Sequence, residues 1–251
     1  MTLRAALILV LAGLTGCVST GSVDPMRTAE GREKARDAYI QLGLGYLQQG
    51  AAERAKVPLR KALELDSSSA DANAALALVF QTEMEPKLAD EHYRKALSSR
   101  RDARILNNYG GFLFEQKRYE EALERFQEAA EDSLYPERSR VFENLGLTAL
   151  RMKRTDQAKQ YFDKSLRLNV QQPVALLEMA SLSFDEKQYV PARDYYERYT
   201  KIAPQTARSL LLGVRIATVF DDRDQAASLG LQLKRLYPGT PEYQQYLSEQ
   251  R

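Results

Sequence analysis

Cysteine and histidine each occur once in this chain of 251 residues, as Cys17 and His92, and tryptophan is absent. One histidine with no cysteine beside it cannot assemble the ligand set of an ordinary zinc centre. His92 stands between Glu91 and Tyr93 and reads as an exposed helix residue. Gly43-Leu44-Gly45 followed by Gly50 has neither the dinucleotide-binding spacing nor the lysine of a phosphate loop. Tyr195, Tyr196 and Tyr199 lie beside Arg193, Arg198 and Lys201, a combination that can stack on bases. Tyr196 and Tyr199, however, fall at core positions of a helical pattern. Asp221-Asp222 and Glu120-Glu121 lie at turns, where solvation is their ordinary state. No nucleophile–base pair emerges, so no catalytic, metal or cofactor-binding site is expected and the chain is expected not to be an enzyme. The 36 Lys+Arg nearly balance the 34 Asp+Glu, a net charge of +2 that gives no electrostatic case for nucleic acid.

Cys17 remains, and what precedes it gives it a role. Met1–Arg4 carries one positive charge, Arg4, and Ala5–Leu14 is uncharged. As a helix that apolar run is about 15 Å long, half of a ~30 Å hydrocarbon core, which suits a signal peptide and not a membrane span. Leu14-Thr15-Gly16-Cys17 resembles the bacterial lipobox. That resemblance implies removal of residues 1–16 as a lipoprotein signal peptide and a covalent lipid, palmitate included, on the Cys17 thiol, whose thiolate is the acceptor. One acyl chain anchors marginally and two or more hold stably, at ~0.8 kcal/mol per buried CH₂. An ordinary secretory signal with an incidental cysteine is the main alternative, and a buried structural cysteine the weaker one. Val18 stands where aspartate retains many enteric lipoproteins in the inner membrane, so the outer membrane is expected. Residues 17–35 read as a lipidated terminus and tether. Asp24-Pro25 is a helix-start signal within it; a helix beginning there could cover whatever groove lies next in the chain.

The elements that such an anchor would carry repeat. Ala55, Ala89, Ala122, Ala158, Ala192 and Ala226 each open a similar stretch, "ALERFQEA" at 122–129 being the clearest, and follow one another at 34, 33, 36, 34 and 34 residues. Twelve residues before each stands Gly43, Ala77, Gly110, Gly146, Ala180 or Val214. Apolar residues recur around them with helical period, as in Tyr39/Leu42/Tyr46 and Leu106/Tyr109/Leu113. Each unit reads as two antiparallel helices joined by a short polar turn such as Glu115–Arg118. This pattern resembles the tetratricopeptide repeat (TPR) and implies an all-α fold, a right-handed superhelical solenoid of six helix pairs over 36–240. The repeats run about 36–69, 70–102, 103–138, 139–172, 173–206 and 207–240. In that repeat the small residue of the first helix lets the two backbones approach. The large residue four after the alanine, as at Tyr93, Phe126, Phe162 and Tyr196, fills the groove toward the next unit. Unit six is degenerate, with Gly213-Val214 and Gly230 at key positions, and 241–251 reads as a cap or tail.

The resemblance also implies a concave face lined by the first helices. It would include Asp37, Arg104, Asn107, Gly111, Phe114, Glu115, Arg140, Glu143, Arg151 and Arg208. Its most apolar part is Ile40, Leu44, Leu47 and Leu78, the expected groove for an amphipathic helix or apolar strand of a partner.

The stretches "LNNYGGFLFEQKRYEEALERFQEA" (106–129), "SLYPERSRVFENLGLTAL" (133–150) and "SLLLGVRIATVFDDRDQAA" (209–227) are similar to the PilF/PilW lipoproteins of type IV pilus biogenesis. That similarity implies a pilotin: a lipid-anchored protein on the periplasmic face of the outer membrane of a Gram-negative bacterium. It would bring the pilus secretin subunit there and aid its multimerisation. Its partners would be the secretin, outer-membrane lipid and the lipoprotein trafficking machinery, with no cofactor beyond the lipid on Cys17. A TPR lipoprotein scaffold for outer-membrane protein assembly or cell-wall enzymes is the alternative.

Overall fold

The computed structural model of the chain describes residues 24–250. The expected signal peptide at 1–16 and the lipid acceptor Cys17 lie outside those residues. Thirteen α-helices and no strand make up the described residues, and none of the helices is long and apolar enough to cross a membrane. The chain divides into two compact units between Ala96 and Leu97.

The first unit contains α1 (Ala29–Gln48), α2 (Ala52–Leu65), α3 (Ala70–Thr82) and most of α4 (Pro86–Ser99). Asp24 starts a single 3₁₀ turn and not an α-helix. Its carbonyl accepts from Arg27 N at 2.9 Å and its carboxylate from Met26 N at 3.0 Å, closing a 3₁₀ turn at Pro25–Arg27. Thr28 is the cap instead, its hydroxyl accepting from Gly31 N at 2.9 Å. From there α1 runs unbroken, so the residues from Ala29 lengthen the first repeat helix and do not fold back over its groove. Helix α2 packs against both α1 and α3.

In the second unit the pairs are α5 (Ala103–Glu115) with α6 (Tyr119–Glu131), α7 (Arg138–Arg151) with α8 (Thr155–Leu168), and α9 (Pro173–Asp185) with α10 (Tyr189–Thr200). A further pair is α11 (Ala207–Val219) with α12 (Arg223–Leu236), and α13 (Pro241–Glu249) docks on both of these. The two extra residues of the 36-residue step fall in the α6–α7 connection. Asp102, Thr206 and Thr240 cap α5, α11 and α13 through side-chain oxygens.

Every turn inside a pair uses the same device. Gly50, Met84, Lys117, Lys153, Lys187 and Asp221 all have φ between 54° and 73°. They follow one another at the spacings of the repeat alanines. The left-handed residue reverses the chain so that the orphan carbonyls at the end of the first helix are satisfied, as Lys117 N and Arg118 N are by Phe114 O and Leu113 O at 2.9 Å each. Only Gly50 adopts this conformation without steric cost.

Packing within a pair depends on a small residue facing a large one. A Cβ on Gly43 would lie 2.5 Å from Leu59, one on Gly110 2.7 Å from the Phe126 ring, and one on Gly146 2.5 Å from the Phe162 ring. The nearest obstacle is thus the large side chain four residues beyond the alanine, in the same unit. That side chain also reaches onward, as expected: Phe162 clusters with Ala175, Leu176 and Met179 of α9. Ala55, Ala77, Ala89, Ala122, Ala158, Ala180 and Ala192 are fully buried. Ala226 is not; it is half-buried, because the short α13 leaves this part of α12 uncovered.

The degeneracy of unit six has a physical reason. A Cβ on Gly213 would collide with the Tyr196 hydroxyl, and one on Gly230 with the Tyr246 hydroxyl. Gly230 therefore makes room for α13, whose Tyr243 and Tyr246 pack on Leu210, Leu211, Val214, Leu229 and Leu233. Thr240 stands 34 residues after the cap Thr206, so α13 occupies the place of a seventh unit's first helix. Residues 241–249 are a docked helix and not a solvated tail.

Gly146→Ala tests the packing. The added methyl must displace a ring that is 0% exposed, and a loss of about 1–3 kcal/mol in urea unfolding is expected. An unchanged midpoint would mean that Phe162 can move aside.

Candidate partner-binding surface

In the first unit the expected groove residues divide. Ile40 is 4% exposed and packs on Ala62 and Ala72. It is a core side chain and offers a partner nothing, because α2 and α3 close over it. Leu44, Leu47 and Leu78 are half-buried. Leu44 and Leu47 lie on the cluster of Ala55, Leu59, Ala75, Leu76 and Val79, which brings α1 and α3 together beneath them. Leu78 belongs to α3. Leu42 was expected to pack within its helical stripe but is 48% exposed. Its stripe neighbours Tyr39 and Tyr46 are half-buried beneath Lys61 and Arg54. The signal that could have flagged Leu42 is its place on the first repeat helix.

Charged groups border this surface. Arg36 bonds Asp37 at 2.7 Å and Asp66 at 3.3 Å, and the Asp37 hydrogen bond raises its pKa. Lys56 bridges Glu53 at 2.5 Å and Glu83, the C-cap of α3, at 3.0 Å. The same link recurs in the second unit. Lys159 meets Glu186, the C-cap of α9, at 2.6 Å, and Arg193 lies 4.0 Å over the ring of Phe220, the C-cap of α11. The residue after the repeat alanine thus reaches the next first helix at its negative end, where a cation is favoured.

His92 departs from expectation. Its ring is half-buried, stacks on Phe80 at 5.3 Å and lies 2.9 Å from Asn73 Oδ1. Burial, with Lys95 adding to it, lowers its pKa. Among the described residues no group of three potential ligands could hold a metal ion.

The first helices of the second unit carry polar contacts in a row. Asn144 Nδ2 donates to Asn107 Oδ1 at 3.0 Å. Glu143 is 8% exposed and accepts from Ala175 N at 3.1 Å. It caps α9, whose own Gln172 makes no capping bond. Glu178, also 8% exposed, takes both arms of the Arg208 guanidinium, one at 2.8 Å. Two residues expected to face a partner, Glu143 and Arg208, therefore join one repeat to the next. Burial pushes the Glu143 carboxyl above its usual range; nearby Glu178 adds to this, while the Ala175 N–H and Arg140 oppose it.

Tetratricopeptide repeat profiles match residues 37–69, 101–169 and 143–207. Type IV pilus assembly protein PilF of Pseudomonas aeruginosa is 68% identical over 251 residues, spanning 99% of this chain and all of that protein. The chain belongs to the PilF family of type IV pilus assembly proteins. A solved structure of P. aeruginosa PilF, 70% identical, covers 87% of this chain and 99% of its own with a TM-score of 0.85. PilW, a widely conserved type IV pilus biogenesis factor, is 28% identical, with 84% and 98% covered and a TM-score of 0.72. The TPR solenoid of the PilF family is thus the fold of this chain.

Glu143 separates charge from capping. A raised carboxyl pKa means that its protonated form favours the fold; that contribution is present below the unfolded value and lost as pH rises through the folded one. Glu143→Gln keeps an acceptor for Ala175 N and is expected to be at least as stable as the parent at pH 7, with a flatter dependence above pH 4. Glu143→Ala leaves a buried N–H without a partner and is expected to cost about 1–3 kcal/mol. Thermal unfolding across pH distinguishes them, and equal losses in both would remove the capping role.

Proposed function

We propose that this chain is the pilotin of a type IV pilus: a lipoprotein that carries secretin subunits to the outer membrane and promotes their multimerisation there. Membership of the PilF family supports a role in pilus biogenesis. The observation that carries the finer reading is the join of that TPR body to Leu14-Thr15-Gly16-Cys17. The lipid on Cys17 supplies delivery, because acyl chains hold a protein at a bilayer without a membrane-spanning helix. The solenoid supplies the grip. Leu44, Leu47 and Leu78 are the half-buried apolar side chains offered to a secretin segment. Holding subunits at one surface raises their local concentration and so favours the ring.

The two parts separate by mutation. Leu44→Asp is expected to abolish secretin binding in a pull-down while leaving the helical circular dichroism intact. Cys17→Ser is expected to keep binding and to leave secretin multimers out of the outer-membrane fraction. Secretin multimers in that fraction in cells without this chain would defeat the pilotin reading. Capture of outer-membrane assembly proteins or cell-wall enzymes in place of secretin would favour the scaffold reading instead.

A further inference from the structure

The connections that join one helix pair to the next change character along the second unit. Those before α5 and after α6 carry acids: Asp102, then Glu131, Asp132 and Glu137. The three that follow, α8–α9, α10–α11 and α12–α13, carry none. Residues 164–177, 198–220 and 225–241 contain no acidic residue at all. Aliphatic side chains stand at the same three connections. Leu168, Ile202 and Leu236 occupy one position of the repeat, ten residues after its alanine, and Val170 and Val174 adjoin the first of them. All five are between 38% and 63% exposed. In the two preceding pairs that position holds Ser99 and Asp132. The turn inside each pair joins the other ends of the helices, so these connections share one edge of the unit. The Tyr237 hydroxyl donates to Gln205 O at 2.8 Å and ties the last two together.

Cations accompany the aliphatic groups. Arg167 precedes Leu168, Lys201 precedes Ile202, and Lys234-Arg235 precedes Leu236. Lys201, Lys234 and Arg235 are exposed and make no ion pair among the described residues. The acids that border the edge are engaged. Asp163 pairs with Arg167, Glu197 with Arg193 at 3.9 Å, and Glu178 takes both arms of Arg208. Glu242 is half-buried, and its charge acts on Arg208.

An aliphatic side chain beside a cation suits a surface that is anionic at its face and apolar just beneath. The alkyl group enters while the ammonium or guanidinium stays among the headgroups. Here the two traits recur together at three successive connections, as contact with an extended surface requires. We infer that this edge of the second unit docks on an anionic phospholipid bilayer. It rests on the pilotin reading only for the nearness of that bilayer. A lipid on Cys17 would hold the chain there, since Cys17 to Asp24 spans at most about 25 Å, and docking beside an anchor needs little affinity of its own.

The edge is tested without the anchor, in residues 18–251, which keep every described helix. The chain has no tryptophan, so Ile202→Trp or Leu236→Trp places a single reporter on the edge. With excess vesicles of phosphatidylglycerol and phosphatidylethanolamine its emission is expected to shift to the blue, and with phosphatidylcholine vesicles to stay unchanged. Val190→Trp, at a position 64% exposed on the opposite edge, is expected to stay unchanged with both. In flotation with the anionic vesicles, Lys201→Glu/Lys234→Glu/Arg235→Glu is expected to cut binding by about tenfold or more, because each cation near such a surface contributes about fivefold. The same charge change at Lys117, Lys153 and Lys187 is expected to leave binding within about twofold at 0.1 M salt. Those turns lie a helix length away, ~20 Å, beyond the ~10 Å Debye length. No blue shift from the edge, an equal shift from Val190→Trp, equal binding to neutral vesicles, or equal loss in both lysine-bearing triples would each overturn the inference. If the edge triple does not fold, the tryptophan shifts decide alone. Cys17→Ser in cells reads the anchor and the vesicles read the edge, so either can fail without the other.

Discussion

How closely two helices approach depends on what stands between their backbones, and in this chain that is a residue with no side chain against one with a large one. Gly43 faces Leu59, Gly110 faces Phe126 and Gly146 faces Phe162. The ring or branched chain fills the volume that a Cβ would have taken and then continues into the next pair, as Phe162 does toward Leu176 and Met179. One side chain thus sets spacing within a unit and stacking between units. Burying such a side chain contributes roughly 1.5–3 kcal/mol, and each does so only because its partner position is small. Where the large residue is Tyr93 or Tyr196, the facing position holds Ala77 or Ala180, so the tolerance is a matter of fit and not of glycine alone.

The other regularities follow from that spacing. Helices brought so close need an abrupt reversal, which the left-handed residue in each turn provides, and five of those residues are not glycine. Successive pairs are then pinned at their ends. Lys56 and Lys159 reach acidic C-caps, and Arg193 reaches the face of Phe220. Glu143 and Glu178 reach forward along the first helices to Ala175 and Arg208. These polar links are short-ranged and local, as expected of a solenoid whose repeats contact mainly their neighbours. At the carboxyl-terminal end the same rule takes another form, with Gly230 receiving Tyr246 of a lone helix.

Much of the fold was legible because the alanine spacing and the small residue twelve positions earlier are properties of sequence alone. What escaped was set by neighbours distant in sequence. Ile40 matches a groove position by number, yet α2 and α3 bury it. Glu143 looks like a surface acid until the uncapped start of α9 is placed beside it. Gly230 read as a lapse from the pattern because nothing marks Tyr246 as its partner. Asp24-Pro25 carries a sound helix-start signal, but the Thr28 hydroxyl caps the longer helix. His92 looked exposed because neither Phe80 nor Asn73 is adjacent to it in sequence. The candidate site was legible only in part: of its four residues Ile40 is core, while Leu44, Leu47 and Leu78 are half-buried.

The central proposal is that a repeat body, carried by a lipid, grips a secretin subunit on the face of α1 and α3. The most direct measurement places a photo-activated crosslinking amino acid at Leu44 or Leu78 in cells assembling pili. The account predicts a crosslinked product containing the secretin from both positions, and none from the control Arg94, an exposed residue of α4. Products containing other envelope proteins but no secretin, or equal secretin crosslinking from Arg94, would contradict it.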